Sequence, residues 1–466
     1  MARKASLLII FLTVFIDLVG FGIVLPMLPL YSKEFGASGL AAGGIVAAYS
    51  LMQFIFSPIW GRFSDRVGRR PVILISTAGA AVSYCIFAVG CLEKSLVLLI
   101  VSRLAAGICG ANLSVASAYI ADISQPEERS KNMGLIGMAF GLGFILGPAL
   151  GAISAGWFGV AGPGWIAAVI CALNLIFAFF ILGVSRSPGS KPAEPAPNLN
   201  KIGRVLKRPQ LGYLIGVFFL ATFCFTCFES TFAVLFAGTK EKPGKFSFTE
   251  NIILPESAEI RWHANDGDEV RKGDLIAVIE GQKNIKSPDT GRLNRGASGE
   301  AQINTTKTKA YWLMAFCGLV GAIVQGGFIG PLVKLLGEKK MIVLGIFCVG
   351  LSFAFIPYCS EAKGITYLMI ILAFFAVSSG LYRAPTFGLI SLNASTDEQG
   401  EIMGVTQSIG SLARIIGPPF ALGLMDVRTD LPYLICAAIA MLAAIPAAKY
   451  IVMPSKVNHD SQAHDS

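Results

Sequence analysis

Charge is what this sequence has least of: only 14% of its 466 residues are Asp, Glu, Lys or Arg, against about 25% in an average soluble protein. That level argues against a water-soluble globule. Histidine is almost missing. Its three copies, His263, His459 and His464, lie in polar stretches, which excludes a histidine relay from the apolar part of the chain. Clustered metal ligands are missing too. Nearly all of the ten cysteines, among them Cys85, Cys109, Cys171, Cys317 and Cys436, sit inside apolar stretches and read as small buried hydrophobes. Cys224 and Cys227 form a lone CxxC with no further ligand nearby, so no metal site is expected. The net charge of +9 is scattered in short clusters instead of gathered on one face. No nucleic-acid partner is therefore expected.

Apolar residues make up 54% of the chain. They gather into twelve runs of spanning length, at about 6–30, 40–60, 71–91, 95–121, 133–156, 164–184, 210–236, 310–336, 341–359, 364–390, 402–424 and 430–452. The predicted fold class is an all-α membrane protein of twelve transmembrane helices in two six-helix bundles, carrying one small all-β insert. The lipid bilayer is its solvent. The first run continues into Pro26 and Pro29 without a small-residue cleavage site, so it is expected to remain as the first span and not to be removed as a signal peptide. Lys and Arg accumulate in alternate loops, with only Lys33, Lys94, Lys363 and Arg428 in the short loops on the other side. The positive-inside rule then places both termini in the cytoplasm, and the expected location is a bacterial inner membrane.

The chain also repeats itself. The stretch from Met133 to Gly151 recurs from Met403 onward, with Gly147 and Pro148 falling on Gly417 and Pro418, and Gly110 on Gly380. The expected organisation is an N-terminal six-helix bundle (1–184), a cytoplasmic linker (185–209), a seventh span (210–238), an extracytoplasmic β insert (239–306), spans eight to twelve (307–453) and a polar tail (454–466). Parallel repeats of this kind put a substrate site between the halves, near the bilayer midplane.

A charge at the centre of a span costs about 2.5 to 3.5 kcal/mol on insertion scales, so each one is a functional candidate. Asp17 in the first span and Arg103 in the fourth lie at similar depth. They read as a proton-coupling pair, with a static ion pair or no contact as the bland alternatives. Arg414, at mid-depth in the eleventh span, is a second cavity candidate. Glu229 lines the pathway or snorkels to the outer interface, and Arg383 lines the cavity or anchors the cytoplasmic side. The loop after the second span holds Gly61, Asp65, Arg66, Gly68, Arg69 and Arg70. With Asp122 at the inner end of the fourth span, it can form a cytoplasmic gate that holds one conformation closed. The matching loop of the second half, Gly330 to Lys340, has Lys334 in place of the acid, so its latch is expected to be weaker. Gly143, Gly147, Pro148 and Gly151 form a small-residue stripe in the fifth span, read as a hinge or a tight seam between the halves.

These residues resemble the major facilitator superfamily, in particular its twelve-helix drug:proton antiporter branch and the tetracycline-efflux-like subgroup. The resemblance rests on Asp17 to Gly22 followed by Pro26 and Pro29, on Gln53 through Pro71, on Arg103 with Gly107 and Gly110, and on Gly143 to Gly151, which looks like the antiporter motif. It implies alternating access, a small-molecule substrate exchanged for protons, a charge relay of Asp65, Arg69 and Asp122, and help from Arg103 in moving protons. Gln53 joins the cavity candidates on the same ground. Tetracycline exporters use further acids in the middle helices of each half, and the third and ninth spans here have none, so the resemblance leaves tetracycline as substrate and the familiar coupling stoichiometry open.

Within the insert, Ile260 to Asp274, Leu275 to Glu280 and Ser287 to Gly291 look like a biotinyl/lipoyl-type barrel-sandwich domain. Lys283 is the nearest match to that fold's modified lysine. The hairpin around it is short and no second half-motif follows, so biotin or lipoate at Lys283 is disfavoured, no cofactor is expected, and the insert reads as an unmodified docking, adaptor or lid module. A periplasmic partner would bind there. The functional expectation is proton-coupled efflux of small amphipathic compounds. A metabolite or sugar uniporter or symporter remains an alternative, as does a non-transporting membrane sensor or scaffold with an external binding module. An enzyme is not expected, because no catalytic constellation accompanies Lys283.

Overall fold

The computed structural model describes residues 2–111, 113–124, 126–183, 199–238, 244–252, 260–265, 268–270, 274–279, 284–287, 291–295, 301–360, 364–393 and 399–451. In hydrocarbon every backbone N–H and C=O must be paired within the chain, which selects helices for the apolar runs. The first half comprises α1 (Ala2–Val24), the short α2 (Leu28–Glu34), α3 (Gly39–Val67), α4 (Arg69–Leu92), α5 (Leu96–Gly110), α6 (Leu113–Ile123), α7 (Pro126–Phe158) and α8 (Gly162–Ile181). After α9 (Leu199–Leu206), the second half comprises α10 (Pro209–Ala237), α11 (Thr306–Ile323), α12 (Ile329–Leu336), α13 (Glu338–Phe355), α14 (Gly364–Leu392), α15 (Gln399–Val427) and α16 (Leu431–Tyr450). Ten helical segments among the described residues are long and apolar enough to cross a membrane. Neither α7 nor the stretch from α11 to α12, where the fifth and eighth spans are expected, is among them. The latter is interrupted by a π-helical turn at Val324–Phe328, which holds the adjacent glycines Gly326 and Gly327.

Packing repeats between the halves. Helix α1 lies on α7, and α10 on α15; α4 lies on α5 and α8, and α13 on α14 and α16. The pairs that cross from one half to the other include α3 with α15, α7 with α11 and α2 with α10. The repeat extends to single turns. Gly68 between α3 and α4 has φ 96°, and Gly337 between α12 and α13 has φ 76°, a region that a side chain strongly disfavours. What reads in the sequence as a loop from Gly61 to Arg70 is therefore mostly helix, with one reversal at Gly68.

The glycine stripe packs differently from the expected seam between halves. A Cβ on Gly143 would lie 2.8 Å from the Leu18 Cβ, one on Gly147 would lie 2.4 Å from the carbonyl carbon of Gly22, and one on Gly151 would lie 2.8 Å from the Ile23 carbonyl oxygen. All three contacts are with α1, inside the first half. The tight crossing between halves is instead that of α3 and α15, where a Cβ on Gly39 would meet the Leu422 carbonyl and one on Gly43 would meet Pro419 and Pro418. Glycine is required there because the other helix supplies backbone, which cannot move aside as a side chain can.

The insert forms β1 (Thr249–Ile252), β2 (Ile260–Trp262), β3 (Glu269–Val270), β4 (Leu275–Ile279), β5 (Asn284–Lys286), β6 (Gly291–Arg295) and β7 (Ala301–Asn304). These make two antiparallel sheets, ordered β1-β7-β6-β3 and β2-β4-β5. Ile252, Val270, Ile276, Leu293 and Ile303 are buried among them. Its neck is held by backbone and ring contacts: the Phe246 N–H donates to the Phe236 carbonyl, the Thr305 N–H to the Phe248 carbonyl, and the Phe248 N–H to the Thr306 hydroxyl. Lys283 lies outside the described residues.

Gly147→Ala should lower the thermal unfolding temperature in detergent, since overpacking a closed seam costs about 1 to 3 kcal/mol. Gly156→Ala, on the same helix but with open space around the new Cβ, should leave it unchanged.

Candidate functional site

A narrow cavity opens between the halves, lined by Phe21 and Leu25 of α1, Val46 and Ser50 of α3, Thr226, Glu229 and Ser230 of α10, and Arg414 and Pro418 of α15. Glu229 is only 7% exposed. It faces this cavity and does not snorkel to an interface. Arg414 is oriented by its Nη2, which donates to the Ser411 hydroxyl at 3.0 Å. Arg383 stacks on the Phe225 ring with its guanidinium carbon 4.6 Å from the centroid. Both arginines lie within electrostatic range of Glu229. A carboxylate in a low-dielectric cavity is tolerated when such charges face it, and the structure brings these three candidates together.

Asp17 and Arg103 lie in the adjoining part of the first half, but the described contacts do not join them. Arg103 is 2% exposed and lies over two aromatic rings, 5.5 Å from the Tyr84 centroid and 5.1 Å from that of Phe87. Its Nε donates to the Ser102 hydroxyl at 3.4 Å, and its Nη2 has no hydrogen-bond partner among the described residues. A desolvated cation over a ring face gains about 2 kcal/mol, so the rings replace the expected carboxylate. Asp17 accepts a hydrogen bond at 2.9 Å from the amide of Asn174 on α8. Tyr49 lies between the two halves of the site, within electrostatic range of Asp17, Arg103 and Arg414, and its ring packs 4.5 Å from that of Phe21. Gln53 is not among the residues lining the cavity. Its amide donates to the Gly110 carbonyl at 3.0 Å, clamping α3 to the end of α5.

At the end of the bundle where α3 turns into α4, Arg69 is buried and gathers the expected cluster. Its Nη1 lies 2.7 Å from Asp65 Oδ1, its Nε lies 3.2 Å from Asp122 Oδ2, and Nη1 also donates to the Ser64 hydroxyl at 2.6 Å. Arg70 donates to the Phe179 carbonyl at 2.6 Å and ties α4 to α8; Arg66 is exposed. Gly61 contributes its carbonyl, 3.5 Å from Arg69 Nη1. Among the described residues, no ion pair holds Lys334 in the corresponding place of the second half.

The opposite end, which carries the insert, holds a second set of charges. Adjacent residues of α2 reach to different elements of the second half: Lys33 pairs with Asp426 at the end of α15, and Glu34 pairs with Lys307 in the first turn of α11. Asp426 also accepts from the backbone N–H of Gly39. Sequence reasoning missed these pairs, although the juxtaposition of Lys33 and Glu34 in a short connection was a signal. It also missed Asn174, the lone amide in the apolar sixth run.

Two half-bundles related by an internal repeat and meeting on a charged cavity are the architecture of a secondary transporter embedded in a membrane. The chain belongs to the Major Facilitator Superfamily, whose model matches residues 10–248 and 298–465. The unmatched stretch falls inside the insert. Among its relatives, the class C tetracycline resistance protein of Escherichia coli is 28% identical over 424 residues, covering 90% of this chain and 89% of that one. Multidrug resistance protein 2 of Bacillus subtilis (strain 168) is 26% identical over 437 residues, covering 93% and 92%. The crystal structure of the human organic anion transporter MFSD10 (TETRAN) superposes with a TM-score of 0.59 at 21% identity, covering 96% of this chain and 99% of that chain, which shows a common fold.

Removing one partner of a buried ion cluster leaves the others uncompensated, at about 3 to 5 kcal/mol. Arg69→Ala should therefore lower the unfolding temperature markedly, while Arg66→Ala, at an exposed position, should leave it within error of the parent.

Proposed function

We propose that this chain is a proton-coupled exporter of small amphipathic compounds that works by alternating access. The observation that carries this reading is the burial of Glu229 beside Arg414 in the cavity between the halves. The tetracycline and multidrug resistance proteins among its relatives support export over uptake. Asp17 and Glu229 are the acids that exchange protons with substrate, while Arg103, Arg383 and Arg414 tune them. The topology behind the reading is twelve spans, both termini in the cytoplasm and the insert outside an inner membrane. Asp65, Arg69 and Asp122 then form the cytoplasmic gate, and the pairs Lys33 with Asp426 and Glu34 with Lys307 close the external end. The insert is an unmodified module resembling biotinyl/lipoyl domains and offers its surface to a periplasmic partner. The cavity presents a carboxylate and a guanidinium together, so the test panel must include cationic, anionic and zwitterionic compounds.

In liposomes with an imposed pH gradient, addition of a transported compound should release protons from the acidic side. Glu229→Gln and Asp17→Asn should each reduce that release at least tenfold. Compound-dependent fluxes that leave internal pH unchanged would overturn proton coupling.

The external gate makes a separate expectation. Asp426→Asn combined with Lys307→Gln removes both cross-half pairs and should speed labelling of a cysteine placed at Ser50 by an impermeant thiol reagent added from the insert side, in a background where the native cysteines do not react. Unchanged labelling would show that the backbone seam of α3 and α15 closes this end without the ion pairs.

A further inference from the structure

We propose that Asn174 is a positioning residue that reads the protonation state of Asp17 and passes it to the packing of α8 on α1; this rests on Asp17 being a coupling acid. Asn174 is 1% exposed. Its two amide hydrogens are both used, one on Asp17 Oδ1 at 2.9 Å and one on the Thr13 carbonyl at 3.0 Å, so a single side chain bridges the carboxylate and the backbone one turn before it. Its Oδ1 is buried and has no hydrogen-bond partner among the described residues. A buried acceptor left without a partner is costly, so Asn174 Oδ1 is poised to take up a donor that comes within reach.

The arrangement fits the ionised carboxylate, which can only accept. A protonated Asp17 presents a hydroxyl and needs an acceptor instead. A half-turn of the Asn174 amide about its terminal torsion hands Oδ1 to that hydroxyl and withdraws the amide from Thr13. The same side chain thus serves both protonation states, and the change between them makes or releases one tie between α8 and α1. No covalent chemistry is involved; the proton arrives from the cavity and leaves to it.

The other groups around Asp17 are accounted for. Within its electrostatic range lie Cys171 on α8, Tyr84 on α4, Tyr49 on α3 and Cys109 on α5. Arg103 on α5 shares Tyr49 and Tyr84 with it. The helices packed most closely on α1 add little: α7 has no titratable residue from Asn132 to Phe158, and α6 contributes Tyr119 and Asp122, the latter engaged with Arg69. Cys171, one turn before Asn174, and Tyr84 would both lie against a Cβ added at Gly20. The Asn174 amide donates directly to the Asp17 carboxylate, so its loss should be felt there.

The test is the pH profile of compound-dependent proton release in proteoliposomes, measured for the parent, Asn174→Leu, Asn174→Asp and Asp17→Asn, with unfolding temperatures in parallel. Loss of a donor to the ionised form in Asn174→Leu should move the midpoint to higher pH by about one unit, because charge-assisted hydrogen bonds are the stronger kind. Asn174→Asp keeps the shape of the side chain and sets a second carboxyl against the first, so it should move the midpoint further in the same direction. A lower unfolding temperature with an unmoved midpoint in both variants would overturn the proposal and leave Asn174 a helix clamp. Should Asp17→Asn retain full coupling, the reading of Asp17 itself fails, an outcome separate from an unmoved midpoint in the Asn174 variants.

Discussion

Everything in this molecule depends on the cost of an unpartnered polar group where no water can reach it. That cost makes the apolar runs helical and limits the charges within spans to a few. It also determines how each of those charges is housed. Arg69 is held by two carboxylates and a hydroxyl, Arg103 by two ring faces, Asp17 by an amide, and Glu229 lies within electrostatic range of two guanidinium groups. The partners differ because depth and purpose differ. Carboxylates serve at the end of the bundle, where water shares the load, and rings serve Arg103 inside it.

The two ends of the bundle solve the problem of closure in unlike ways. Around Arg69 the described ion pairs join α3, α4 and α6, all within the first half, so the proposed gate there would act through the shape of that half and not through a bond across the seam. Around Asp426 the ion pairs cross between halves, and they do so beside the region where Gly39 and Gly43 let the backbones of α3 and α15 approach each other closely. The described structure is therefore fastened across its halves at the end that bears the insert.

Much of this was legible in the sequence, for identifiable reasons. The runs and the repeat were visible because the bilayer imposes a length and a duplication leaves its glycines and prolines in register, as Gly147 and Gly417 show. The cluster of Asp65, Arg69 and Asp122 could be anticipated because its parts stand out against apolar neighbours. What could not be read was direction. A glycine stripe announces close packing without saying against which helix, and this one meets α1 and not the other half. Similar depth brought Asp17 and Arg103 to the same level but could not tell on which side of the helix each side chain turned. Glu229 looked terminal by count, yet α10 is buried along most of its length, so the same position is interior.

The insert is anchored beside one of the contacts that join the two halves. Its first and last strands leave the bundle through a neck where Phe246 and Phe248 stack on Phe236 at the end of α10, while Thr305 and Thr306 bond to Phe248 at the start of α11. Lys309 lies over the Phe248 ring at 4.3 Å, and Lys307, one residue beyond Thr306, holds Glu34 of the first half. The lysine that fastens the two halves is thus set by the same short run of residues that fastens the insert. A module placed elsewhere on the bundle would add surface; placed here, it shares its anchor with a contact between the two halves.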